Sequence, residues 1–76
     1  MPSLPVLSAR QLIRVLEKVG FRIVRQRGSH IRMKHVDGRV VTVASHAGQD
    51  IGRGLLRKIL RDAELSPQEL MRLLEE

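Results

Sequence analysis

The sequence predicts an α+β fold in which two amphipathic helices cover one face of a three-stranded antiparallel sheet, with a short third helix at the C-terminus. Apolar residues recur at three- and four-residue intervals near both ends of the chain, as in helices. Between them the period is two and β-branched residues are common, as in strands. With 76 residues, we expect a single domain, 1–76.

The first helix is predicted over about Ala9 to Val19. Ser8 and Gln11 have the spacing of a capping box, which marks a helix start, and Gly20 follows where a left-handed cap is favoured. The helix also carries basic residues four apart on one side, which would form a ridge: Arg10, Arg14 and Lys18.

Three strands are predicted next, with turns at Gly28-Ser29 and Asp37-Gly38. Their approximate ranges are 21–25, 29–35 and 39–44. A two-residue loop at the second turn would mix polar and apolar residues on each face. A three-residue loop, 36–38, instead pairs Met33 with Val41 and Ile31 with Val43, so that one face is apolar. It places on the opposite face, beside Thr42, three polar residues of the second strand: His30, Arg32 and Lys34.

A second helix is predicted to begin between Ile51 and Gly54, with Asp50 as its cap. Its apolar stripe is Leu55, Leu56, Ile59 and Leu60, and its basic ridge is Arg53, Arg57 and Arg61. Ser66-Pro67-Gln68-Glu69 combines a cap, proline at the first helical position and glutamate at the third, which predicts a third helix. The order of elements is that of double-stranded-RNA-binding domains.

The charge distribution favours a polyanionic partner. Residues 1–61 hold 13 Lys and Arg and three acidic residues, whereas 62–76 hold one Arg and five acidic residues, for an overall net charge of +6. Nucleic acid is the first expectation, because binding it releases condensed counterions. A solvated surface, an anionic membrane or an acidic protein are the alternatives. The absence of cysteine and of long apolar runs favours a cytoplasmic protein without a membrane segment.

Several chemistries are disfavoured by the residues present. No phosphate-binding P-loop occurs, and the acidic residues before the tail, Glu17, Asp37 and Asp50, are too scattered for a two-metal nuclease. The three histidines lack the short spacings of a zinc site, so we expect no metal and no cofactor. Phe21 is the single aromatic residue, which argues against modules that stack bases on exposed rings.

His30 is the candidate for catalysis. It follows Gly-Ser at the start of a strand and is flanked by cations: Arg25, Arg27, Arg32 and Lys34. A histidine can transfer a proton near neutral pH while guanidinium groups stabilise charge on a phosphate, and RNA supplies its own 2′-OH as nucleophile. The alternative is a surface histidine that only forms hydrogen bonds. We expect His35 to be a surface residue, and His46 either to face the same site or to bind backbone.

Several motifs, taken in order, resemble the HicA toxin family. They are Gln26-Arg27-Gly28-Ser29-His30, Lys34-His35-Val36-Asp37-Gly38-Arg39, Val41-Thr42-Val43, His46-Ala47-Gly48 and the segment 51–60. The resemblance extends from Ser8 to Leu74. It implies a double-stranded-RNA-binding-like fold and a toxin of a type II toxin–antitoxin pair. Such toxins cleave mRNA and are neutralised by a HicB-type antitoxin.

The resemblance also implies that His30 is the catalytic residue, acting as general acid or base without a metal. The predicted RNA-binding residues are Arg27, Ser29, Arg32, Lys34, Arg53 and Arg57. The chain departs from the family at Ile31, where many members have a second histidine, and at Glu64, where many have glycine; two more departures are Ala44 and Leu55. The alternatives to an endoribonuclease are a non-catalytic RNA-binding module and a protein-interaction domain whose basic face binds an acidic partner.

Overall fold

The computed structural model describes residues 4–76, and its architecture confirms the predicted α+β fold. In chain order the elements are α1 (Ala9–Lys18), β1 (Phe21–Arg27), β2 (His30–His35), β3 (Val40–Ala44), α2 (Arg53–Ala63) and α3 (Pro67–Glu75). The strands form one antiparallel sheet in the order β1-β2-β3. This is the helix-strand-strand-strand-helix order of a double-stranded-RNA-binding-like fold, followed by a further helix.

The N-terminal capping box of α1 is confirmed. The Ser8 hydroxyl accepts a hydrogen bond from the Gln11 amide, and the Gln11 side chain accepts one from the Ser8 amide. Val19 caps the other end, one residue earlier than predicted. Gly20 has a φ of +102°, and an added Cβ would lie 2.8 Å from Nε2 of His35. Both its backbone conformation and its surroundings therefore require glycine.

The register between β2 and β3 is the predicted one. Met33 pairs with Val41 and Ile31 pairs with Val43, and the amide of His35 donates to the carbonyl of Arg39 across the three-residue loop. All four paired residues are buried. The apolar face of this hairpin was thus predictable from side-chain alternation alone.

The start of α2 lies within the predicted range, but its cap differs from the prediction. The helix begins at Arg53 with Gly52 as N-cap, and no side chain caps it, so the proposed cap at Asp50 is wrong. Asp50 instead pairs with Ser8 in an isolated antiparallel bridge, and the amide of Ile51 donates to the carbonyl of Leu7 at 2.7 Å. This pairing holds residues 50 and 51 extended, so the helix cannot begin until the backbone has left the bridge.

The connection between α2 and α3 contains Glu64 in the left-handed conformation, with φ +58° and ψ +42°. Many members of the family that the sequence resembles have glycine at this position, and the backbone explains that preference. After it, Ser66 and Glu69 form the predicted capping box, with Pro67 in the first turn.

The core lies between the inner face of the sheet and the helices. It joins the inner strand residues to the apolar stripes of α1, α2 and α3, including Leu12, Leu16, Phe21, Met33, Val41, Leu56, Ile59 and Leu70. The helices pack against this inner face of the sheet. The opposite face, which we call the outer face, is therefore open to solvent. In the described part of the chain, no helix has the length and apolar character needed to cross a membrane.

Candidate RNA-binding and catalytic face

The outer face of β1 and β2 carries three cross-strand pairs of basic or titratable side chains. Arg27 is opposite His30, Arg25 is opposite Arg32, and Arg22 is opposite Lys34. Thr42 of β3 pairs with Arg32 on its other side. Every one of these seven residues is exposed. The predicted exposure of His30, Arg32 and Lys34 beside Thr42 is therefore confirmed.

A β-bulge at Val24 assembles this face. Ile23 pairs with Met33, but the next residue of β2, Arg32, pairs with Arg25, so Val24 is an extra residue in β1. With strict alternation from Phe21, Arg25 and Arg27 would lie on the inner face. The bulge reverses the alternation and brings Arg25 opposite Arg32 and Arg27 opposite His30. From the sequence, Arg25 and Arg27 were expected near His30 only because they are close to it along the chain. No local signal distinguished the bulge from a straight strand.

His30 lies in a shallow pocket of about 160 Å³ lined by Arg25, Arg27, His30, Arg32 and Thr42. It is the first residue of β2, directly after the tight turn Gly28-Ser29. The carbonyl of Ser29 accepts a hydrogen bond from the amide of Ser45 at 2.6 Å, which ties the turn to the end of β3. Besides His30, the pocket is thus lined by three arginines and a threonine, and the lining contains no carboxylate.

The charges of the outer face are not neutralised by the protein. Within residues 4–76, the side-chain ion pairs involve His35, Arg39, Asp37, Lys58 and Asp62, none of which belongs to this face. Like charges directly opposite each other destabilise a sheet. The Arg25–Arg32 and Arg22–Lys34 pairs therefore cost folding free energy, which is typical of positions retained for binding.

Other predicted RNA-binding residues are less closely grouped. Ser29 is half-buried in the turn beside His30, and Lys34 lies at the far end of β2 from His30. Arg53 and Arg57 are exposed on α2, which packs against the inner side of the sheet, and neither lines the pocket around His30. The structure does not join them to the outer face.

The basic ridge predicted on α1 is incomplete. The amine of Lys18 donates to the carbonyls of Leu73 and Glu76, at 2.8 Å and 2.9 Å. It therefore stabilises the C-terminal end of α3, where the helix dipole favours a cation, and is engaged within the fold. Arg10 and Arg14 are exposed.

The expectation that His35 is a surface residue is wrong. Its side chain is 17% exposed, and its Nε2 lies 3.0 Å from the carbonyl oxygen of Val19. Its ring packs edge-on against that of Phe21, with the two ring centroids 5.3 Å apart. Its Nδ1 lies 3.1 Å from the amide of Asp37 and 3.0 Å from its carboxylate. The signal was in the alternation, because His35 lies two residues beyond Met33 and so shares the inner face.

Asp37 and Arg39 extend this packed end of the hairpin. The pKa of Asp37 is lowered, chiefly because the backbone amide of Arg39 donates to its carboxylate, and further by the guanidinium of Arg39. Arg39 also lies over the Phe21 ring at 5.2 Å and donates to the carbonyl of Ala63 at the end of α2. Arg39 thereby joins the hairpin to the start of β1 and to the end of α2.

His46 is exposed in the loop after β3. It lines a separate depression between β3 and α2, with Ala44, Asp50 and Leu55 among the other lining residues. His30 does not line that depression. Over residues 4–76, no group of three or more His, Asp or Glu side chains is arranged to hold a metal ion.

The fold and the outer face define a small basic α+β protein with a surface suited to a phosphate backbone. Comparison with known families identifies it further: residues 9–65 match the family model described as HicA toxin of bacterial toxin-antitoxin. The match covers about three quarters of the chain, so the chain belongs to the HicA toxin family. No individual curated protein matches it.

Proposed function

We propose that this chain is the toxin of a type II toxin–antitoxin pair and that it cleaves mRNA, with His30 as general acid or base. The observation that carries the proposal is the pocket around His30, in which an exposed imidazole is surrounded by Arg25, Arg27 and Arg32. Membership of a toxin family supports the biological role. The cation pairs support a polyanionic substrate.

The proposed reaction uses the 2′-OH of RNA as the nucleophile. The 2′ oxygen attacks the adjacent phosphorus and gives up its proton, the bond from phosphorus to the 5′ oxygen breaks, and that oxygen gains a proton. The products are a 2′,3′-cyclic phosphate and a 5′-hydroxyl. His30 carries out one of the two proton transfers, for which histidine is suited near neutral pH. Arg27 and Arg32 stabilise the charge that develops on the phosphate oxygens.

The proposal assigns no step to a metal ion, because the lining of the His30 pocket offers a histidine, three arginines and a threonine. Hard divalent cations prefer carboxylate and carbonyl oxygens. Guanidinium groups supply the positive charge instead, and they do so in a fixed geometry that suits phosphate oxygens.

The proposed protein partner is a HicB-type antitoxin, which follows from family membership. A second candidate function is a non-catalytic RNA-binding module. The same cation pairs favour it, since they would bind an RNA backbone whether or not His30 transfers a proton.

The decisive experiment is to incubate wild type and His30→Ala with a long mRNA in EDTA and follow the fragments on a gel. We expect wild type to cleave and His30→Ala to lose about 100-fold or more of the rate. The matched control is His46→Ala, which removes an exposed histidine outside the pocket and should keep wild-type activity. Circular dichroism establishes that each variant is folded.

The outcomes separate the two functions. If wild type binds mRNA with strong salt dependence but does not cleave it, the chain is a binding module and the catalytic proposal is wrong. Equal cleavage by wild type and His30→Ala would also contradict the role of His30. Loss of cleavage when EDTA is added would contradict the metal-free mechanism.

A further inference from the structure

The three cross-strand pairs of the outer face form a regular series. We call it the phosphate ladder, and its rungs are Arg27/His30, Arg25/Arg32 and Arg22/Lys34. The β2 members are two residues apart, which separates successive rungs by roughly 6.6 Å at the usual strand rise. The bulge at Val24 keeps the β1 arginines in step with β2. The rungs therefore lie in a line along the strands.

We propose that the phosphate ladder holds an extended single-stranded RNA by three successive phosphates, with the scissile phosphate at the Arg27/His30 rung and the other two on one side of it. This inference rests on the proposed function and deepens it by naming the strand state of the substrate and the register of the cut.

The straight line of the rungs favours a single strand over a duplex. Successive phosphates of an extended RNA backbone are separated by a distance close to that between rungs. In an A-form duplex, the phosphates of one strand wind around the helix axis and so turn away from a straight line. A duplex strand would therefore leave a straight ladder after one or two contacts. The outer face has no aromatic side chain, since Phe21 is buried, so binding depends on the backbone and not on base stacking.

The position of His30 makes the ladder one-sided. His30 is the first residue of β2 and Arg27 is the last residue of β1, so their rung is the final one before the turn Gly28-Ser29. The other two rungs both lie toward the opposite end of the strands. A phosphate bound between Arg27 and His30 thus has cation-lined subsites on one side and the uncharged turn on the other.

The charge balance of the face supports a polyanion as its occupant. The second and third rungs each place two cations opposite one another, a destabilising arrangement that a bound phosphate relieves. Arg22, Arg25, Arg32 and Lys34 have no carboxylate partner among residues 4–76. Each of these rungs can therefore place two donors on one phosphate.

The test uses an oligonucleotide that is 2′-deoxy except at one linkage that wild type cleaves in the all-RNA parent. Neutral methylphosphonates replace the two phosphates next to that linkage, on the 5′ side in one oligonucleotide and on the 3′ side in another. We expect one of the two to lower kcat/KM by about tenfold or more and the other by less than about twofold. Equal effects, or no effect, would overturn the inference.

Binding measurements test the same ladder without relying on cleavage. With an all-deoxy oligonucleotide and fluorescence anisotropy, the double variant Arg22→Gln/Lys34→Gln, which removes both cations of one rung, should reduce the salt slope of log K by about 0.7, the value for one fewer phosphate on a single strand. Replacing the phosphate bound at that rung by a methylphosphonate should have no additional effect on the affinity of this double variant. Unchanged affinity for an oligonucleotide with methylphosphonates throughout would overturn the inference and leave the face to an acidic protein.

Annealing a complementary RNA strand tests the strand state. We expect the duplex form of the all-RNA parent to be cleaved at least about tenfold more slowly. Equal rates would contradict the single-strand inference while leaving the proposed ribonuclease intact. Conversely, absence of any cleavage, together with phosphate-dependent binding that the Arg22→Gln/Lys34→Gln variant weakens, would contradict the proposed function and leave the binding part of the ladder intact.

Discussion

The two ends of β2 each carry a histidine next to arginine or lysine, yet their surroundings are opposite. His30 is exposed on the outer face, in a pocket lined by three arginines. His35 is 17% exposed and is fixed by the Val19 carbonyl, the Phe21 ring and Asp37. One histidine is free to meet a substrate, and the other ties the hairpin to the end of α1.

Basic residues near a histidine in the sequence therefore do not by themselves indicate whether that histidine meets a substrate or stabilises the fold. The two residues are five positions apart, an odd number, so the pleat of β2 sends them to opposite faces. A ring with both nitrogens engaged inside the fold is unsuited to exchanging protons with a substrate. We therefore expect substitutions at the two ends to affect different properties, activity at one and stability at the other.

The largest expected contrast is between His30→Ala and His35→Ala. His30→Ala should lower mRNA cleavage by about 100-fold or more and change the free energy of unfolding by less than about 0.5 kcal/mol. His35→Ala should lose about 1–3 kcal/mol of stability, because it removes buried contacts and hydrogen bonds, while the folded fraction keeps its activity. Urea unfolding and a cleavage assay at low temperature measure both. The reverse pattern would contradict the assignment of roles.

A second contrast is between deletion of Val24 and deletion of Gln26, both in β1. Deleting Val24 removes the bulge but leaves Arg25 and Arg27 opposite Arg32 and His30, so cleavage should stay within about threefold of wild type. Deleting Gln26 moves Arg27 to the inner face, opposite Ile31, and should lower cleavage by about tenfold or more. Circular dichroism checks the fold of both variants. Equal activity in the two deletions would show that Arg27 is not required on the outer face.

Substituting two glycines by alanine tests how tightly the two ends of β2 are packed. Gly20→Ala should cost about 2–3 kcal/mol, because φ is +102° and the new Cβ would lie 2.8 Å from Nε2 of His35. Gly28→Ala, next to the His30 pocket, has φ +52° and no atom within 4 Å of the new Cβ, so about 1 kcal/mol is expected. The cost of Gly20→Ala should fall in a His35→Ala background, as measured by a double-mutant cycle. An unchanged cost would rule out the contact with His35 as its source.

A smaller effect is expected from relieving repulsion on the outer face. Arg25→Gln should raise the free energy of unfolding by about 0.2–1 kcal/mol, since Arg25 is opposite Arg32, while it weakens RNA binding. The gain in stability should shrink as salt is added, because salt screens exposed charges. A loss of stability at low salt would show that Arg25 is held by contacts within the fold.

The smallest expected effect is on stability at acid pH, and it concerns Asp37, which contacts His35 at one end of β2. The pKa of Asp37 is lowered from its ordinary value of 3.8, so the folded state favours the carboxylate. Its contribution to stability is complete above that value and is lost as the pH falls further. Asp37→Asn should therefore weaken the hairpin at neutral pH but lose less stability than wild type between about pH 5 and pH 2. Parallel urea midpoints over this range would contradict the role of Asp37.

Much of the fold was predictable from local signals. The capping boxes at Ser8 and Ser66 marked two helix starts, and alternation about Met33 gave the register of the second hairpin. These features depend on residues a few positions apart, or on a pattern that only one register satisfies. The cap of α2 was predicted wrongly, because Asp50 is held in a bridge with Ser8, which is far away in the chain.

Composition, periodicity and motifs were enough to predict that the protein is small, basic and α+β, that it resembles HicA toxins, and that His30, Arg32 and Lys34 share one face. The alternation also carried the signal for His35 on the inner face, but the position of Arg25 and Arg27 on the outer face and the packing partners of His35 required the tertiary structure. The physical reason is that a bulge is chosen by the pairing of two strands, and the enclosure by packing against Phe21 and the end of α1. Neither depends on the local sequence alone.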